Sequence, residues 1–152
     1  MNTPPRGKPL AADDYAARHD ADLDFETVCL LARQQHNLSQ VRALQPAVVL
    51  EVGCGPELLV AQVLESPNRV TEWQVVEPAQ RYADIARAFA AREPRLRVTT
   101  DYIEHADAAL ATAWPDGPAA DLLVVSGVIH ETAEPEDRKS TRLNSSHLVI
   151  SY

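Results

Sequence analysis

The segment Val48–Leu59, VVLEVGCGPELL, constrains the fold more than any other part of the chain. An apolar, β-branched run carries Glu51 near its carboxyl end, glycines at 53 and 55 turn the backbone, and helix-compatible residues follow Pro56. A strand that passes into a helix through a glycine turn is the opening unit of a parallel sheet with crossover helices. Glycine suits such a turn because it accepts positive φ and lets a ligand approach the backbone.

The rest of the chain repeats the alternation. Ala47–Val52 reads as the first strand, Pro56–Leu64 as a helix with proline in its first turn, and Trp73–Glu77 as the second strand. Tyr82, Ile85, Ala86 and Phe89 then fall at the spacing of a buried helical stripe. Leu96, Val98 and Thr100 alternate along a third strand, and an alanine-rich helix covers Ile103–Ala113. Asp121–Gly127 is a fourth strand, apolar through four positions, as expected at the centre of a parallel sheet. The predicted fold is an α/β, Rossmann-like, doubly wound parallel sheet. Ahead of it, residues 1–12 read as a disordered leader in which prolines block regular structure, and residues 13–45 as an N-terminal helical cap of two helices. In that cap Val28, Leu31, Leu38 and Val41 share one helical side. Residues 46–136 are then the sheet domain.

Charge and apolar run length narrow the partners. The formal net charge is -8, which disfavours nucleic acid and anionic membranes, both of which need a basic surface. No apolar run approaches the ~20 residues of a membrane span, and the start lacks the apolar core of a signal peptide. Cys29 and Cys54 alone do not suggest a disulfide framework, so a reducing cytoplasm is the expected location.

Two cofactor classes compete for the glycine turn. In a doubly wound sheet, ligands bind outside the carboxyl ends of the strands, beside such turns. A dinucleotide fingerprint needs glycine at position 58, where Leu58 stands, and Glu51 would oppose a pyrophosphate. S-adenosylmethionine fits better, since it carries a cationic sulfonium and ammonium and no phosphate. Glu77 closes the second strand 24 residues after Gly53, where related folds hold ribose hydroxyls with a carboxylate.

Glu51-Val52-Gly53-Cys54-Gly55 resembles motif I of the class I S-adenosylmethionine-dependent methyltransferases, an acidic residue followed by xGxG. A third glycine is common in that family two residues later, where this chain has Glu57. The resemblance extends from about Ala47 to Glu134. It implies that Glu51, Gly53, Cys54 and Gly55 line the cofactor, and that Glu77, followed by Pro78, meets the ribose. It further implies that Asp101 accepts the adenine amino group, with Tyr102 and Ile103 against the ring. Ser126 and the following loop would lie near the transferred methyl group. The implied activity is transfer of a methyl group from S-adenosyl-L-methionine to a small-molecule acceptor, without a metal and with oligomeric state open. A nucleotide-binding Rossmann protein and a non-catalytic methyltransferase-like partner are the alternatives.

Several residues have a second reading. Asp101 could cap a helix, and Glu57 suits the N-terminus of the helix expected from Pro56. His130 is the candidate base for an acceptor's proton, or a histidine packed over its loop. Tyr15, His36 and Asn37 belong to the cap, which in this family often closes over cofactor and substrate. Cys54 reads as a small turn residue and not as a nucleophile.

The last sixteen residues, DRKSTRLNSSHLVISY (Asp137–Tyr152), change style abruptly to serine, asparagine and arginine. They resemble the in-frame translation of a common short-read sequencing adapter, with Leu148-Val149 in the place of its index. On this reading they stand apart from the fold, and without them the charge goes from -8 to -10. The expectation is a fragment cut after the fourth strand, with that strand left on an open sheet edge.

Overall fold

The computed structural model describes residues 25–115, 120–126 and 147–151, the last five through their backbone. Helix α1 (Phe25–Leu44) leads into β1 (Val48–Val52), and α2 (Leu59–Leu64) into β2 (Glu72–Val76). Helix α3 (Gln80–Ala90) precedes β3 (Leu96–Thr99). A 3₁₀ turn (Ile103–His105) and α4 (Asp107–Ala113) precede β4 (Leu122–Ser126), and β5 (His147–Ser151) completes the order. The sheet runs β3-β2-β1-β4-β5, and every pairing is parallel. The order reverses between β1 and β4, which makes their carboxyl ends the switch-point crevice where ligands bind in this architecture.

Period-two alternation assigns the strand side chains to two cores. Val49, Trp73, Val75, Leu96, Leu122 and Val124 pack with α1, α2 and α3. Leu50, Val52, Val76 and Leu123 face Ala106, Leu110 and Trp114 on the other side. Glu51, Glu77 and Ser126 stand in the same register as the first set, so they gather on the α1 face at the carboxyl edge. At the amino edge Asp121 Oδ2 accepts hydrogen bonds from the Ala47 and Val48 N–H groups at 2.8 and 3.0 Å, fixing where β1 begins. Among the described residues no helix is long and apolar enough to cross a membrane.

Three expectations need correction, and one position of the α3 stripe with them. The first concerns α1, whose buried face is Gln34, Asn37, Leu38 and Val41, while Val28 and Leu31 are 63% and 47% exposed. At 100° per residue that face centres on Gln34 and Val41 and is half polar, so an apolar count points away from it. Second, α2 begins at Leu59 and not at Pro56, because Leu58 is extended (φ -70°, ψ 107°). Glu57 is therefore outside the helix, and α2 has no acid in its first turn. On α3, Ile85 is 38% exposed, and Ala83 takes its place beside Tyr82, Ala86 and Phe89.

The third correction concerns the tail. Residues set apart from the fold supply β5, which pairs with β4 from Leu122↔His147 to Ser126↔Ser151. The edge of β4 is thus occupied. An unpaired strand edge is a row of free N–H and C=O groups, and a β-branched stretch such as Val149-Ile150 suits it whatever its origin. Truncation after Ser146 should re-expose β4, lower solubility and bring forward thermal unfolding, read by light scattering and circular dichroism. An unchanged melt would show that β5 adds nothing to stability.

Candidate functional site

The glycine turn is built around a buried carboxylate. Gly53 and Gly55 have φ of 78° and 63°, and Cys54 between them is not in the positive-φ region. This alternation makes successive N–H groups converge, the geometry of a backbone anion nest. The anion in it is Glu77. Its Oε2 accepts from the N–H groups of Cys54 (2.9 Å) and Gly55 (3.2 Å), and its Oε1 from the Ala79 N–H (2.8 Å). Glu77 itself hangs from β3 through its own N–H to the Thr99 carbonyl at 3.0 Å. A carboxylate offers about four lone-pair positions, and beside these three bonds the Cys54 thiol also hydrogen-bonds to it. A Cβ built on Gly55 meets no described atom within 4 Å, so it is the positive φ, not crowding, that calls for glycine there.

Glu51 sits one strand away and faces inward. It is 2% exposed, and its Oε2 accepts the Trp73 indole N–H at 2.9 Å. Burial pushes its carboxyl up to about 8; the Trp73 bond partly offsets this, and the nearby Glu77 charge adds to it. Burial also raises Glu77, held back by the backbone N–H groups of Ala79, Gly55 and Cys54. The Cys54 thiol is pushed far up by burial and by the Glu77 and Glu51 charges, which leaves it inert as a nucleophile. Trp73 carried no signal beyond an apolar strand residue. Its indole is the donor that makes a core carboxylate tolerable.

Beyond β3, Asp101 Oδ1 accepts the Tyr102 N–H at 2.8 Å and lies 3.6 Å from His105 Nδ1. Tyr102 is 39% exposed, edge-on to His105, and Ile103 packs partly into the second core. Pro78 is half-buried between Glu77 and Ala79. Asp101, Tyr102 and Ile103 thus line the β3 end of the carboxyl edge, and Glu51, Gly53, Cys54, Gly55, Glu77 and Ser126 its centre.

Helix α1 roofs that centre with two amides. Gln34 Nε2–H donates to the Glu57 carbonyl at 2.7 Å, tying the helix to the chain just after the glycine turn. Asn37 Nδ2–H donates to Ser126 Oγ at 2.7 Å, directly over the β1–β4 crevice. Asn37 is 3% exposed, and among the described residues its Oδ1 has no partner. His36 is exposed on the same helix. Gln34 was missed because nothing in the sequence marks a mid-helix glutamine as buried. Tyr15 and His130 lie outside the described residues. Among those residues no group of three His, Cys, Asp or Glu side chains could hold a metal.

Several solved structures that superpose on this chain are methyltransferases. The methyltransferase domain of bacterial CtHen1-C superposes with a TM-score of 0.60 at 15% identity, covering 78% of this chain and 63% of that one. N-methyltransferase NodS from Bradyrhizobium japonicum WM9, in complex with S-adenosyl-L-homocysteine, gives 0.55 at 16%, covering 81% and 60%. The fold is the Rossmann-like fold of these methyltransferases. The 4+2 cyclase SpnF also superposes, at 0.50 and 16% identity over 85% of this chain and 54% of its own. The chain therefore spans less than two thirds of the length of these structures. No family model and no curated protein matches the sequence.

The Glu51 shift has a sign that can be tested. Its folded value of about 8 stands above the ordinary 4.5, so the folded state favours the protonated form. Its contribution to stability is fully present below about 4.5 and is lost as pH rises through about 8. The melting temperature should fall across that interval, and Glu51→Gln, which stays neutral, should flatten the fall. Parallel wild-type and variant profiles would place the ionisation elsewhere.

Proposed function

We propose that the chain binds S-adenosyl-L-methionine in the β1–β4 crevice and transfers its methyl group to a small-molecule acceptor. The observation that carries this reading is the placement of two buried carboxylates, Glu51 and Glu77, on either side of the Gly53–Gly55 turn at the switch point. A site of that kind suits a ligand bringing positive charge and hydroxyl donors. Glu77 suits one ribose hydroxyl, which would replace the weak Cys54 thiol donor on its carboxylate. Asp101 suits an adenine amino group, and Tyr102 and Ile103 offer apolar surface for the ring. The bound cofactor would supply an electrophilic methyl group on a sulfonium centre.

The chain's own contribution is to hold and orient. Alignment of acceptor and methyl donor supplies most of the rate in a displacement of this kind. Helix α1, through Gln34 and Asn37, closes the crevice from above and keeps water from the reacting centre. We assign His130 as the base that takes the acceptor's proton when the acceptor is an alcohol or amine. The structural likeness to NodS, bound to the product form of this cofactor, supports the reading at the level of fold.

Calorimetry tests it directly. Wild-type protein should bind S-adenosylhomocysteine, and Glu77→Ala should weaken that binding by ~1.5–3 kcal/mol, the scale of a lost hydrogen bond to a charged group. Unchanged affinity would remove Glu77 from the site. A second readout uses Glu51. A cation arriving beside a largely protonated carboxyl lowers its pKa. S-adenosylmethionine should therefore release more protons near pH 7 than the uncharged sulfide S-adenosylhomocysteine. Repeating the titration in buffers of different ionisation enthalpy counts those protons, and equal release would show that Glu51 does not sense the sulfonium.

A further inference from the structure

We propose that the Glu77 carboxylate is an internal anion that fills the glycine turn and makes the crevice select against phosphate-bearing nucleotides. The inference deepens the cofactor reading above and rests on it, since it takes the crevice to be a small-molecule site. It starts from a conflict in the geometry. Alternating φ at Gly53, Cys54 and Gly55 converges the N–H groups of Cys54 and Gly55 on one point, and convergent backbone donors of this kind hold phosphates in nucleotide-binding folds. Here that point is the Oε2 of Glu77, at 2.9 and 3.2 Å. The side chain is 4% exposed and anchored at its other oxygen by Ala79. A carboxylate at the end of the second strand can meet ribose in either class of fold. Only when it turns back onto the loop amides does it take the donors a pyrophosphate would need.

Two further features act in the same direction. Helix α2 starts only at Leu59 and has six residues, so its N-terminus offers the turn little positive field. Glu51 stands within electrostatic reach of Glu77 and is no cation in either protonation state, so the β1 side of the turn offers a phosphate no counter-charge. Displacing Glu77 would leave a carboxylate buried without its donors, a cost that a neutral or cationic ligand avoids. Selectivity then comes from an unfavourable contact built against the wrong ligand, as well as from attraction to the right one.

The test compares wild type, Glu77→Ala and Glu77→Gln with inorganic pyrophosphate and with ADP as probes. Thermal melts of the full chain should show no stabilisation of wild type by either probe. Glu77→Ala should gain several degrees with millimolar pyrophosphate, because a ligand that binds only the folded state raises its melting point. Glu77→Gln keeps the shape but loses the charge, and should gain less than Glu77→Ala and more than wild type. ADP should bind Glu77→Ala at least about tenfold more tightly than wild type, while S-adenosylhomocysteine binds it about tenfold or more weakly. A residue that only braced the turn would lower the melting point without any rescue by pyrophosphate, and that outcome overturns the proposal. Equal stabilisation of wild type also overturns it. Should both variants fail to fold, the wild-type amide resonances of Cys54 and Gly55 decide: millimolar pyrophosphate leaves them in place, or shifts them and sinks the idea. Failure of the cofactor reading is distinguishable, because wild type would then not bind S-adenosylhomocysteine whatever pyrophosphate does to the variants.

Discussion

The carboxyl edge of the sheet depends on one carboxylate meeting backbone N–H groups. Glu77 joins three parts of the chain: its backbone N–H is bonded to the end of β3, and its side chain to the β1 glycine turn and to the start of α3. Each charge-assisted bond of this type contributes roughly 1.5–3 kcal/mol, against a desolvation cost that would otherwise keep a carboxylate out of the interior. Burial outweighs those bonds in its effect on the carboxyl, whose pKa is raised. A group in that position is sensitive to any ligand that adds a donor or a charge. On the proposed function, structural anchor and binding group are the same side chain.

Glu51 extends the argument to the neighbouring strand. In register it lies opposite Val75, diagonal to both Trp73 and Glu77. The indole satisfies one oxygen from one side, and the second acid raises the cost of its ionisation from the other. Two acids so placed disfavour simultaneous ionisation, and an incoming cation relieves that conflict. The stability lost as pH rises and the affinity for positive charge that the proposed function requires would thus have one source.

The order of elements and both strand-end acids were legible in the sequence, because they follow from local signals. Ala47–Val52 and Asp121–Gly127 read as apolar runs with turn residues, and a parallel sheet buries such runs on both faces. The two turn glycines stand at positive φ, as their placement implied. Less legible were features set by tertiary contact. Gln34 and Asn37 occupy the buried face of α1 because their partners, the Glu57 carbonyl and Ser126, lie 23 and 89 residues away. No periodicity in a single helix encodes that. The start of α2 slipped by three residues for a similar reason: Pro56 is permissive for a first turn, but extended Leu58 continues the loop. The pairing of β5 escaped because a style change in the sequence says nothing about backbone hydrogen bonding.

Fold and chemistry separate at the same edge. NodS and the SpnF cyclase superpose on this chain at similar identity, yet one is named for methyl transfer and the other for ring formation. A shared sheet therefore does not decide the reaction, which has to be argued from the side chains of each site. In this chain those side chains are two acids of raised pKa, an inert thiol and a buried amide with an unmatched acceptor. None of these is a nucleophile, and Glu51, the acid whose pKa is pushed up to about 8, is buried and bonded to Trp73. On the proposed function, the arrangement holds a polar, positively charged small molecule in a fixed pose. A reaction limited by the alignment of two bound partners needs little more from the protein than that.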